Sequence, residues 1–372
     1  MLVTSARTIT ALFLSSLLLV SGLLPAKRAV AQAQQPAQPV TRQRRASQTS
    51  TTETPTAQPS PTVNQTGAQD DTDIVRVDTD LTNVLMTALD REHHFVTNLS
   101  QQDVRILEDG VQQDISIFQR ETDLPLSLAI LIDTSKSQED SLPDEKAAAT
   151  AFVESVIRPD RDMAAIIRFT GEAEIEQELT NNMAALKKAI DRVQFETPPG
   201  GCEGTSTPDD LKCRTGIWDA VWATTTEMLS QTPENRRRAI ILLTDGEDTS
   251  STTKRQEAID LANKFNVTIY AITIKGSEGY DGGALRKLSE GTGGRAFLPD
   301  RDIPDRAALL AAFAQIQQEL RSQYLIAYSP RNKARDGSFR KISIEVINPT
   351  LKKQKLKLMY RQGYYARTQA RS

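Results

Sequence analysis

Histidine, cysteine and aromatic side chains are scarce in this chain. Of 372 residues only His93 and His94 are histidine and only Cys202 and Cys213 are cysteine, while aromatics make up 5%. Adjacent residues of an extended segment face opposite ways, which argues against a metal shared by the two histidines. The cysteines have no further soft or imidazole ligands near them in sequence, so a zinc cluster is excluded there. Glycine-rich nucleotide signatures are missing as well. There is no P-loop, and Gly282-Gly283 and Gly291…Gly293-Gly294 lack the strand–G-x-G-x-x-G–helix context. The latter pair reads as a turn into a strand. A formal charge of −3 gives no overall electrostatic case for nucleic acid.

Long apolar runs are few, and two of them are informative. Leu128 to Ile132 is continuously aliphatic and ends in Asp133, Ser135 and Ser137. Ala239 to Leu243 repeats the pattern and ends in Thr244-Asp245-Gly246. Such runs suit central strands of a parallel sheet buried on both faces. In open α/β sheets ligands bind at the carboxyl ends of these strands. All the polar side chains waiting there offer oxygen, the donor that hard cations such as Mg²⁺ prefer.

Between the runs, Thr215 precedes an apolar helical pattern (Ile217, Val221, Met228). D-x-S-x-S at Asp133, Ser135 and Ser137, a threonine at a helix start, and a strand ending T-D-G resemble the metal-ion-dependent adhesion site of von Willebrand factor type A domains. The resemblance spans about residues 124–322. It implies a doubly wound α/β fold with a mostly parallel sheet, and a divalent cation held by Asp133, Ser135, Ser137, Thr215 and Asp245. Mg²⁺ is the expected ion, and Mn²⁺ or Ca²⁺ suit the same donors. It also implies a protein partner that offers an acidic side chain to the metal. Lys136 and Gln138 are variable positions of the motif and are expected at the rim, with Glu247 and Asp248 as loop residues. One departure stands out: the family runs Gly-Gly straight into its threonine, whereas Cys202 to Arg214 separate Gly200-Gly201 from Thr215. Either this loop is clamped by Cys202–Cys213, or Thr205 or Thr207 takes the place of Thr215.

The remaining segments frame that core. Arg7 precedes an apolar stretch from Ile9 to Leu24, followed by small-residue sites at Ala29-Val30-Ala31 and Ala31-Gln32-Ala33. This reads as an export signal over residues 1–33, cleaved or retained as an anchor, and places the protein in the periplasm, outside the cell or on the envelope. In an exported protein the expected state of Cys202 and Cys213 is a disulfide. Residues 34–72, rich in Gln, Thr, Pro and Ser, read as a disordered linker. Residues 73–122 alternate like strands, with a hairpin signal at Asp109-Gly110. From 123 to 323 strands and helices alternate, with Asp144 and Glu145 in a helix's first turn, where the dipole favours acids.

Residues 324–368 return to β character, expected to pack beside the earlier β segment. Residues 331–372 carry twelve Lys and Arg against Asp336 and Glu345, near +10. Leu351–Tyr360 reads as one amphipathic strand with Lys353, Lys355 and Lys357 on one face. Contact with anionic envelope lipid or polymer is the alternative use of those lysines. The order of export signal, β segment, type A core and Y-L-I-A-Y-S-P…G-Y-Y resembles exported type A-related proteins abundant in acidobacteria.

Enzyme classes fit poorly. A haloacid-dehalogenase-type phosphotransferase needs a second Asp where Ser135 stands, and a Ser-His-Asp triad has no histidine within the core segment. The expected function is therefore metal-dependent binding in adhesion or envelope assembly. The alternative is a scaffold whose metal only stabilises the fold, with binding by the β module.

Overall fold

The computed structural model describes residues 81–120, 124–195, 213–274, 280–298 and 305–368. Residues 1–33 and 34–72, expected to be an export signal and a linker, lie outside these residues, as do Cys202, Thr205 and Thr207. The chain divides into a unit of residues 1–73 and one of 74–372; all that follows concerns the second. No described helix is long and apolar enough to cross a membrane.

Two sheets open the second unit. Strands β1 (Thr82–Leu89), β2 (Val104–Glu108), β3 (Val111–Gln112) and β4 (Ile115–Arg120) precede the α/β core. Asp109 and Gly110, both at positive φ, turn β2 into β3, the backbone that a two-residue hairpin of matching twist requires.

The core then alternates. It runs β5 (Leu126–Asp133), α1 (Leu142–Val156), β6 (Met163–Phe169), β7 (Ala173–Thr180), α2 (Met183–Arg192), α3 (Ile217–Ala223), β8 (Arg237–Thr244), α4 (Arg255–Lys264), β9 (Val267–Thr273), α5 (Gly282–Gly291), β10 (Ala296–Phe297) and α6 (Asp305–Leu320). Its six-stranded sheet has the order β10-β9-β8-β5-β6-β7, parallel except for β7, the exposed antiparallel edge. Every residue of β5 and β8 is buried. Alternation along β5 sends Leu128, Ile130 and Ile132 into one apolar layer under α1, α2 and α6. Ala129 and Leu131 enter the opposite layer, beneath α3, α4 and α5. Two-sided burial explains why these strands read as unbroken aliphatic runs. From β5 the chain steps to β6 on one side, and later to β8 on the other. The carboxyl ends of β5 and β8 therefore flank the topological switch point, the usual ligand position in such sheets.

The chain closes with β11 (Tyr324–Tyr328), β12 (Phe339–Val346), α7 (Pro349–Gln354), β13 (Lys357–Tyr360) and β14 (Gly363–Tyr365). These strands interleave with the first four. One antiparallel sheet runs β13-β1-β11-β4 and the other β14-β12-β2-β3, and between them lie Val84, Met86, Ile106, Tyr324, Ile326 and Ile342. The segments before and after the core thus share one β-sandwich. Arg361 ties it to the α/β core: its guanidinium donates to Asn83 O of β1 (2.7 Å) and to the Asn266 side chain in the α4–β9 turn.

Leu351–Tyr360 is not one strand. Pro349 starts α7, and the Asn348 side chain caps it by accepting from Thr350 N (2.9 Å), the pairing that suits a helix N-terminus. Lys355 then turns left-handed (φ 52°) into β13. Lys353 is on a helix, and only Lys357 of the three lysines is on a strand.

Candidate metal site

Asp133, the last residue of β5, is wholly buried. Its Oδ1 accepts from Ser135 N (2.9 Å) and its Oδ2 from the Thr244 hydroxyl (2.5 Å). After the extended Ser135 comes a single 3₁₀ turn, Lys136–Gln138. It folds the chain back so that the Ser135 and Ser137 hydroxyls lie 3.1 Å apart. D-x-S-x-S works through this turn: the intervening Lys136 points to solvent while both serines face inward.

From the neighbouring strand end, Asp245 Oδ1 accepts from Glu247 N (3.1 Å) and Oδ2 from Gln138 Nε2 (2.9 Å). Gly246 makes the bend at φ +88°, and its N–H donates to Thr244 Oγ1 (3.1 Å). A Cβ there would meet Asp281 O at 2.8 Å and the Leu285 side chain at 2.9 Å. Gly246→Ala should therefore combine left-handed strain with a backbone clash. A loss of about 2 kcal/mol or more is expected in chemical denaturation; an unchanged midpoint would show that the loop relaxes freely.

Thr215 is drawn to the same end of the sheet by its backbone. Its N–H donates to Thr249 Oγ1 (2.8 Å), and its carbonyl accepts from Thr249 N (2.8 Å) and Ser250 N (3.1 Å). Next to it, Gly216 N donates to Thr170 O (2.7 Å), beyond β6. Asp248 caps α3 by accepting from Ile217 N (2.7 Å) and Ser251 Oγ (2.5 Å). Burial pushes its carboxyl up from the ordinary value.

One expectation changes here. Gln138 is not at the rim: it is 1% exposed, and its amide reaches into the site. Glu145 is in the first turn of α1, as expected, but it is fully buried, and its carboxyl is pushed up to about 8, first by burial and then by the charges of Asp133 and Asp245. The Ser141 hydroxyl donates to Glu145 Oε1 (2.7 Å), while Oε2 has no partner. Helical spacing with Leu142, Ala149 and Phe152 puts Glu145 on the buried face of α1, whereas no periodicity marks Gln138, the last residue of a one-turn 3₁₀ segment. Thr244, which bridges the two strand ends, stood beside Asp245 in the sequence without a role.

The donor set fits a hard divalent cation. Two buried carboxylates, Asp133 and Asp245, meet two hydroxyls, and no basic side chain pairs with either carboxylate among the described residues. Buried charge without an ionic partner is costly. Burial, with a contribution from Asp245, accordingly raises Asp133 to about 6. No group of three or more His, Cys, Asp or Glu side chains placed to hold a metal is present among the described residues; the donors gathered here are oxygens, half of them neutral.

Residues 127–306 match the von Willebrand factor type A domain. The doubly wound fold expected from the strand pattern is the fold of this domain. Solved structures similar to the chain include a conserved hypothetical protein, BatB, from Bacteroides thetaiotaomicron (18% identity, TM-score 0.40, covering 53% of this chain and 100% of that one). A second is proximal thread matrix protein 1 from the mussel byssus, with a zinc-occupied MIDAS motif (18%, TM-score 0.44, 57% and 50%). A third is a von Willebrand factor type A protein from Catenulispora acidiphila (14%, TM-score 0.43, 78% and 73%). Likeness at this level carries nothing about ligands. A comparison with curated proteins finds no match. Domains of this family commonly bind a divalent metal and mediate protein–protein contacts.

Proposed function

We propose that this type A domain binds a protein partner through a divalent cation held by Asp133, Ser135, Ser137, Thr215 and Asp245, with Mg²⁺ as the native ion. The observation that carries the reading is the pair of buried carboxylates beside two hydroxyls, with no basic side chain paired to either carboxylate among the described residues. When bound, the ion supplies an electrophilic centre that attracts a carboxylate from the partner. The chain's own work is to hold oxygen atoms in place: Thr244 and Ser135 N orient Asp133, and Glu247 N orients Asp245. Thr249 fixes the backbone of Thr215. Hydroxyl donors keep the protein's negative charge at the site low, so a ligand carboxylate is not repelled.

The reading is of a binding protein rather than an enzyme. Both histidines stand in the turn after β1, where His94 faces Asp90, away from the strand ends of the core sheet. Export to the envelope, and kinship with the acidobacterial subgroup, belong to the same proposal and rest on the leader-like N-terminus and the order of segments. So does a Cys202–Cys213 bridge closing the loop before Thr215, since these are the two cysteines of the sequence.

A second reading, binding through the β-sandwich, is favoured by one feature. A groove of about 340 Å³ between β12, α7 and β13 is floored by Leu351, Leu356, Leu358 and Tyr360 and rimmed by Lys352 and Lys355. An apolar floor with a cationic rim suits anionic lipid better than a purely polar polymer.

Pull-down of envelope proteins with the full chain, in Mg²⁺ and in EDTA, tests the choice. A protein retained only in Mg²⁺ supports metal bridging. Co-sedimentation with phosphatidylglycerol vesicles in EDTA, lost in a Lys352→Glu/Lys355→Glu double variant, would transfer binding to the sandwich.

A further inference from the structure

Gln138 is the buried polar residue of the site that the ligand set leaves without a role. Its Nε2 donates to Asp245 Oδ2 (2.9 Å) and, at longer range, lies 3.4 Å from Ser137 Oγ. Behind it, Oε1 accepts from the Ser141 hydroxyl (3.3 Å). The amide is thus held from both ends, between two oxygens of the site and the first turn of α1. It has no access to solvent through which to exchange these bonds.

An amide N–H can only donate. The lone pairs it engages belong to Asp245 and Ser137, two of the oxygens assigned to the cation. A neutral donor also offsets only part of a buried carboxylate's charge. It makes the metal-free site tolerable without filling the place of a positive ion.

We propose that Gln138 is a built-in competitor for the cation: its amide occupies Asp245 and Ser137 in the metal-free protein and must give them up when the ion binds. This rests on the metal-site reading above. The consequence is an affinity tuned downward, so that occupancy follows the surrounding divalent concentration instead of staying saturated. The 3₁₀ turn provides the means, because Ser137 and Gln138 are consecutive residues of it and Gln138 N is itself bonded to Ser135 O (3.0 Å). Withdrawal of the amide therefore needs only rotation of its own side chain or a small shift of the turn that carries Ser137.

The test is calorimetric titration of Mg²⁺, and separately Mn²⁺, into the full chain as wild type, Gln138→Met and Lys136→Ala. Methionine keeps an unbranched side chain of similar length and removes the donor. A hydrogen bond to a charged group is worth enough that its removal should tighten binding roughly tenfold or more. The same variant should melt at a lower temperature than wild type in EDTA. Tighter binding in a less stable protein is an outcome that structural damage alone does not produce. Lys136→Ala, on the exposed side of the turn, should match wild type. Equal or weaker affinity in Gln138→Met, with wild type binding normally, overturns the inference and makes Gln138 a support for Asp245 instead. Binding by Gln138→Met alone would be its strongest confirmation. Binding by neither protein would reject the metal site itself, and the inference with it.

Discussion

Asp245→Asn should melt at about the wild-type temperature in EDTA, yet gain nothing from Mg²⁺, whereas the wild type at a hundredfold excess over its dissociation constant should gain about 2.7 kcal/mol. Two opposing effects keep the metal-free variant near neutral. The carboxamide retains one acceptor oxygen, so either the Gln138 or the Glu247 bond is lost, a cost of about 1 kcal/mol. Against this, the variant removes a charge that now disfavours ionisation of both Asp133 and Glu145. With the cation present the balance reverses, because the oxygen that remains is neutral and the site has lost half its formal charge. Thermal melts of both proteins across a Mg²⁺ series decide the matter. Full Mg²⁺ stabilisation of Asp245→Asn would place the ion elsewhere in the molecule, and partial retention would assign Asp245 an outer role behind Asp133.

The features that read clearly from the sequence are those in which one physical demand dominates. Leu128–Ile132 and Ala239–Leu243 had to be aliphatic because both faces of β5 and β8 are covered. The alternating Ala173–Thr180 segment had to be an edge because only one of its sides pairs. Asp133, Ser135, Ser137 and Asp245 were legible because strand ends at a switch point are where polar residues have a reason to follow apolar ones. Where two demands compete, the pattern misled. Leu351–Tyr360 alternates well enough for a strand, but the cap formed by Asn348 and Pro349 lies outside that window and starts a helix. Interleaving of β1–β4 with β11–β14 depends on pairings more than two hundred residues apart, such as Val84 with Ile326, and no local periodicity encodes them. Gln138 is a polar residue buried between Asp245 and Ser141, and no local pattern shows it until those two are placed.

The burial of Glu145 yields the second large expectation: metal-free protein should lose stability as pH rises, and Glu145→Gln should remove most of the loss lying above pH 7. In the folded state the Glu145 carboxyl is raised from 4.5 to about 8. Between those values the native protein holds a proton that the unfolded chain has released, so stability falls with increasing pH, by at most about 1.4 kcal/mol per pH unit for one proton. The stabilisation is fully present below pH 4.5 and exhausted above about 8. Asp133, raised to about 6, and Glu319, raised to about 7 beneath Tyr270, act with the same sign but over lower ranges. Glu319 is still titrating above pH 7, so between pH 7 and 8 Glu145 is the larger of two contributors. Glutamine keeps an acceptor for the Ser141 hydroxyl and cannot titrate. Denaturant midpoints measured in EDTA at pH 7.0, 7.5 and 8.0 should fall for the wild type and fall less steeply for Glu145→Gln. Parallel slopes in the two proteins would mean that Glu145 is already ionised at neutral pH, with its charge compensated by water admitted to the site.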